Sequence, residues 1–142
     1  MALPTSGLTV YHNPQCTKSR KSTACLEENQ EQGNYQVEVV KYKATPPSRE
    51  RLQVLVEYLG MRSDSPTIER PWKEDRPWDY LLRPEAQGKA TSYDEAFDII
   101  ENDPAMLERP FVIDWDRKIA VLGRPDISRV EKLVEDRKAG KL

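Results

Sequence analysis

Tyr11-His12-Asn13-Pro14-Gln15-Cys16-Thr17-Lys18-Ser19-Arg20 is the stretch on which the fold of this chain turns. Before it, Leu8-Thr9-Val10-Tyr11 is a short run of apolar, β-branched and aromatic residues, which predicts a strand. After it, Ser19 to Glu31 predicts a helix. Cys16 therefore falls where a strand hands over to a helix N-terminus. Unpaired backbone N–H groups and the positive end of the helix dipole favour a thiolate there. The same local field suits a bound oxyanion. His12, Lys18 and Arg20 surround the cysteine in sequence. The expectation is a reactive cysteine that faces an anion.

The rest of the composition narrows the class. A chain of 142 residues suits one domain, 1–142, with a modest core. Basic and acidic side chains nearly balance, 22 against 24, giving a formal net charge of −2. That balance gives no general attraction to nucleic acid or to an anionic membrane. Met1 to Gly7 has no basic or apolar leader pattern, and no run reaches membrane-spanning length. A cytoplasmic protein is the expectation. Of the two cysteines, Cys25 alternates with Ala24 and Leu26 and reads as a small core residue. Helix would hold it about 13 Å from Cys16, too far for a disulfide. With one histidine and no Cys-x-x-Cys pair, no metal site is expected.

Outward from Cys16, Gly33-Asn34 breaks the first helix and Tyr35 to Tyr42 predicts a second strand. Ser48 is placed to cap a helix whose apolar residues are Leu52, Leu55, Val56 and Leu59, with Gly60 as its C-cap. From about 61 to 108 an insert carries Arg70-Pro71-Trp72 and Arg76-Pro77-Trp78. Prolines 66, 71, 77 and 84 restrict it to short helical pieces. It reads either as a loop-rich subdomain with Trp72 and Trp78 packed down, or as a lid or docking surface. Ser92-Tyr93-Asp94-Glu95 is a capping box that opens another helix. Phe111 to Asp114 and Lys118 to Leu122 predict a hairpin, and Asp126 or Ser128 caps a last helix. The order is β-α-β-α, insert, β-β-α. That is an α/β fold with a mixed four-stranded sheet flanked by helices, and with a helical or loop insert between the second and third strands. It resembles the thioredoxin fold.

Four motifs carry a closer resemblance. They are Tyr11-His12-Asn13-Pro14-x-Cys16-x-x-Ser19-Arg20, Pro46-Pro47-Ser48-Arg49, Glu108-Arg109-Pro110 and Leu122-Gly123-Arg124-Pro125. In order and spacing they resemble the glutaredoxin-dependent arsenate reductase family, over nearly the whole chain. The resemblance implies one cysteine, Cys16, and three oxyanion-binding arginines. Arg109 and Arg124 match the second and third. The first matches Arg83 in Leu81-Leu82-Arg83, with Arg70 as the competing assignment because of the Trp-containing insert. His12, Ser19 and Arg20 are implied to support the cysteine, and Pro110 is implied to be the cis-proline beside it.

The chemistry suits these residue types. Guanidinium forks give a tetrahedral oxyanion paired N–H donors. The resemblance implies that the Cys16 thiolate attacks arsenate to give a cysteine–arsenate adduct. Glutathione then acts as co-substrate, arsenite leaves, and glutaredoxin clears the mixed disulfide, with no bound cofactor. Two other readings stand beside this one. One is an arsenate-reductase-like, glutathione-dependent thiol protein acting on another substrate. The other is a thioredoxin-fold transcription regulator, which Cys16-x-x-Ser19 disfavours because such a switch uses two cysteines. Ser19 has two expected roles: its hydroxyl donates to the sulfur, or it caps the first helical turn.

Overall fold

The computed structural model describes residues 3–63 and 70–140. It divides into two compact units, Met1–Lys41 with Arg109–Leu142, and Tyr42–Glu108. The boundary falls at Tyr42, so the helix that follows Ser48 groups with the insert expected from about residue 61. Pro66 lies outside the described residues.

The first unit holds the sheet. Its strands are β1 (Leu8–His12), β2 (Val37–Lys41), β3 (Phe111–Asp114) and β4 (Ile119–Leu122), in the order β2-β1-β3-β4. β1 and β2 run parallel, while β3 is antiparallel to both β1 and β4. A parallel pair needs a crossover, and helix α1 (Thr17–Glu28) with the short α2 (Gln30–Gly33) supplies it. The expected single helix from Ser19 to Glu31 is thus two. It starts earlier because Cys16 is the N-cap, and it breaks at Asn29, whose side-chain amide donates to the Cys25 carbonyl. The chain then turns at Asn34, which is left-handed at φ 51°.

Alternation along β1 divides its side chains between the two faces. Leu8 and Val10 join Leu26 of α1, Val112 of β3 and Val130, Leu133 and Val134 of α5 (Ser128–Lys138) in one buried cluster. Burying one such side chain stabilises by about 1.5–3 kcal/mol. Leu8 pairs across the sheet with Asp114. That carboxylate is fully buried but paired, accepting from Arg117 Nε at 2.7 Å and Arg137 Nη1 at 2.9 Å. Removing either arginine would leave a buried charge without its full complement of donors. The N-cap of α5 is Ile127, so neither expected residue holds that position; Asp126, one residue earlier, accepts from the Ser128 amide through Oδ1.

The second unit contains α3 (Arg49–Leu59) and α4 (Tyr93–Asn102). Ser48 and Ser92 cap them by accepting from the Arg51 and Glu95 amides, and Gly60 ends α3 at φ 88°. Arg49 ties the helices together through Glu101 at 2.6 Å, Asp98 at 3.0 Å and Asp94 at 3.2 Å. The Arg-Pro-Trp segments fold back on this unit. Trp72 meets Tyr80 edge-on, Trp78 meets Tyr93 edge-on, and Arg76 and Trp78 Nε1 both donate to the Ala90 carbonyl. This is the packed-down reading of the two tryptophans. Among the described residues no helix is long and apolar enough to cross a membrane.

Candidate active site

The C-terminal end of β1 runs straight into the loop that presents Cys16. Asn13 folds that loop on itself. Its side-chain oxygen accepts from the Gln15 amide at 3.0 Å and its carbonyl accepts from the Cys16 amide at 3.0 Å. Cys16 keeps an extended backbone, φ −99° and ψ 123°, while its carbonyl takes the first helical bond, from the Arg20 amide. These are the features of an N-cap residue. The sulfur stands where a capping oxygen normally stands, close to the amides of Lys18 and Ser19.

Two arginines from the far side of the chain converge on the same sulfur. Arg124 follows β4. Its Nη2 donates to Cys16 Sγ at 3.2 Å and its Nε donates to the Arg109 carbonyl at 2.6 Å. One guanidinium therefore clasps both the nucleophile candidate and the segment that leads into β3. The Arg109–Pro110 peptide is cis, and so is Arg124–Pro125. Gly123 donates to the Pro110 carbonyl at 2.8 Å. A Cβ at Gly123 would sit 2.8 Å from both Pro110 Cγ and Ser22 Oγ, so only glycine lets the end of β4 close against β3 and α1.

Burial of Cys16 pushes its thiol up, but the opposing contributions win. The Ser19 amide, a hydrogen bond from Arg109, the charge of Arg124 and the Lys18 amide together hold it below the ordinary thiol value. Lys18 thus acts through its main chain. Arg20 braces the loop: its exposed guanidinium donates to the Pro14 carbonyl at 2.9 Å and reaches Thr17 Oγ1 at 3.4 Å.

Ser19 departs from both expected roles. Its hydroxyl neither donates to the sulfur nor caps the helix. It accepts from the Asn13 amide at 2.8 Å and pairs with His12 Nδ1 at 2.7 Å. The reason is position. Ser19 is the third residue of α1 and faces inward, under the Asn-Pro turn. Thr23, one helical turn further on, lies 3.1 Å from the same Nδ1. Sequence reasoning missed Thr23, and the signal was its i+4 spacing from Ser19 on the face turned toward β1. Burial, then Lys41, holds the His12 ring below its usual value.

In the second unit Arg83 and Glu108 lie across a short antiparallel bridge between Leu82 and Leu107. They form an ion pair at 2.9 Å, Arg83 Nη1 to Glu108 Oε1. Arg70 Nη2 donates to the Ser63 carbonyl at 2.6 Å. Among the described residues no cluster of three or more His, Cys, Asp or Glu gathers for a metal ion. Cys25 is a free thiol whose pKa is raised, first by burial and then by Glu131, Glu28 and Glu135. An acid-flanked thiol of that kind is a poor nucleophile. Cys25→Ser is expected to keep turnover within about twofold of the parent. A folded but inactive Cys25→Ser protein in a steady-state assay would rule out a single-cysteine cycle.

Known proteins agree with this architecture. The family model of the ArsC family matches residues 11–131. The arsenate reductase of Neisseria meningitidis is 33% identical over 116 residues, covering 82% of this chain and 89% of its own. The uncharacterized protein YfgD of Escherichia coli is 31% identical over 121 residues, covering 85% of this chain and 92% of its own. A solved structure of an arsenate reductase from Vibrio cholerae superposes with a TM-score of 0.63 at 28% identity, covering 93% of this chain and 98% of that one. With its mixed β2-β1-β3-β4 sheet, its cysteine-capped first helix and this match over most of its length, the chain belongs to the ArsC family and has that family's thioredoxin-like fold.

Proposed function

We propose that this chain reduces arsenate to arsenite in the cytoplasm, using glutathione as co-substrate and glutaredoxin as the partner that resets the enzyme. The observation that carries the reading is the Cys16 sulfur, carried on the N-cap residue of α1 and held 3.2 Å from Arg124 Nη2. A thiolate in that position has guanidinium N–H groups beside it to receive the oxygens of a tetrahedral anion. Arsenate reductases at about this level of identity, such as the Neisseria meningitidis protein, support arsenate as that anion.

In the proposed cycle the Cys16 thiolate attacks arsenic(V). A sulfur–arsenic bond forms, and one arsenate oxygen leaves as water after protonation. The arginine donors stabilise charge on the remaining oxygens. A glutathione thiolate then attacks the Cys16 sulfur. The sulfur–arsenic bond breaks, its electron pair stays on arsenic, and arsenic(III) departs as arsenite. The two sulfurs are left as a Cys16–glutathione disulfide. A glutaredoxin thiolate attacks the glutathione sulfur and returns Cys16 to its thiolate. The test is arsenate-dependent NADPH oxidation in a coupled assay with glutathione, glutaredoxin and glutathione reductase, beside a parallel assay with thioredoxin and its reductase. Activity confined to the thioredoxin arm would replace the proposed donor. No turnover in either, with sulfate still protecting Cys16 from alkylation, would leave a thiol protein of another substrate.

The first of the three oxyanion donors is assigned, by the resemblance, to Arg83. Its pairing with Glu108 holds the guanidinium in one orientation, and the Leu81-Leu82-Arg83 stretch carries the resemblance. Arg83→Ala is expected to lower kcat/KM for arsenate roughly 10²-fold, the scale for losing one donor to a developing oxyanion. Arg70→Ala is expected to change it by less than about threefold. Severe loss in Arg70→Ala with a silent Arg83→Ala would transfer the role to the Trp72–Trp78 insert.

A further inference from the structure

His12 is the one histidine of the chain, and its Nδ1 lies against two hydroxyls, Ser19 Oγ at 2.7 Å and Thr23 Oγ1 at 3.1 Å. Counting hydrogens permits one assignment of their roles, with Ser19 as the donor to the neutral ring. Ser19 Oγ already receives the Asn13 N–H, so its single hydroxyl hydrogen is free to go to Nδ1. In that assignment the neutral ring carries its proton on Nε2 and accepts at Nδ1. That lone pair holds one good donor, so Thr23 adds little to the neutral ring. When Nδ1 gains a proton the account changes. Both oxygens then accept from Nδ1–H, and Ser19 reaches that arrangement by rotating its hydroxyl alone.

We propose that Thr23 is a positioning residue for the Cys16 site, supplying the second oxygen with which His12 Nδ1 binds and releases a proton while every heavy atom stays in place. It rests on the reading of Cys16 as the nucleophile, and it adds a residue to that site. Charged groups around the ring compete. Lys41 of β2 and Arg20 of α1 oppose a positive ring, and Glu27 of α1 favours it. Thr23 and Ser19 act by contact, and their oxygens are the accepting groups within hydrogen-bond distance of Nδ1. Proton uptake at His12 places a positive charge at the base of the cysteine loop. It therefore keeps Cys16 reactive as pH falls.

The experiment uses the full chain without arsenate. Because there is one histidine, ring ¹⁵N shifts report its tautomer and titration without ambiguity. The expected result is an Nε2–H tautomer above the midpoint. Thr23→Val, which keeps the side-chain shape, is expected to lower the proton-binding constant of the ring roughly threefold to tenfold, the net scale of one ordinary intramolecular hydrogen bond. Thr23→Ser restores it. Iodoacetamide labelling of Cys16 is expected to fall off at higher pH in Thr23→Val than in the parent or in Thr23→Ser. An Nδ1–H tautomer in the parent overturns the proposal, even if Thr23→Val does not fold. So does an unchanged or raised midpoint in a folded Thr23→Val. Neither readout involves arsenate, so a protein with no arsenate turnover can still pass this test, and an active reductase can fail it.

Discussion

Cys16→Ser is expected to remove arsenate-dependent turnover to below about one part in 10³, since the covalent step has no substitute nucleophile. Serine keeps the size and the capping geometry, so circular dichroism and the thermal transition should stay those of a folded protein. The coupled assay is the first check, and retained turnover above a few per cent would end the role of Cys16. A second check comes from proton linkage. The folded thiol sits below its ordinary value, while the unfolded thiol titrates at about 8.5. Between those two values the unfolded chain binds more protons, so stability rises with pH. The gain is fully present above the unfolded value and is lost as pH falls through the folded one. The parent protein should therefore gain Tm relative to Cys16→Ser as pH rises through that window. Parallel Tm curves for the two proteins would mean that the thiolate is not favoured by the fold.

Arg124→Ala is expected to lower kcat/KM for arsenate by roughly 10²–10³, the scale of one lost donor to a developing oxyanion. The side chain has two partners, the Cys16 sulfur and the Arg109 carbonyl, so its loss also frees the segment leading into β3. Alkylation of Cys16 as a function of pH should show the thiol pKa moving up, because a nearby cation has been withdrawn. Arg124→Lys should recover part of the thiol reactivity through charge alone. It should recover less turnover, because an ammonium cannot span two acceptors as the planar fork does. Sulfate or phosphate protection of Cys16 should weaken in Arg124→Ala. If that variant keeps kcat/KM within threefold and still gains protection from sulfate, the anion does not bind beside this guanidinium.

Much of this was legible in residues that act locally. Ser48, Gly60 and Ser92 mark helix ends because capping depends on neighbours within four positions. The alternation of Leu8 and Val10 and the Arg-Pro pair before Phe111 likewise announce β1 and β3. What escaped the sequence depends on contacts between distant segments. That Ser19 serves His12 requires knowing that the end of β1 lies under the first turn of α1. That Arg124 spans Cys16 and the Arg109 carbonyl requires the β3–β4 hairpin to close against that turn, over 108 positions of chain. The need for glycine at 123 is invisible without Pro110 and Ser22 beside it. The tie between Arg49 of α3 and Glu101 of α4, two helices of the same unit, is likewise recorded by no local pattern.

If Cys16 is the nucleophile proposed above, the head of α1 sets stability against activity at a single position. Serine, threonine, aspartate and asparagine are the side chains that close a helix N-terminus well, and replacing one of them typically costs about 1 kcal/mol. This chain begins α1 with a thiol that makes no capping hydrogen bond of its own. A screen that selected variants for heat resistance alone would be drawn to substitutions at residue 16, and under the proposed role of Cys16 the survivors it enriched there would be dead enzymes.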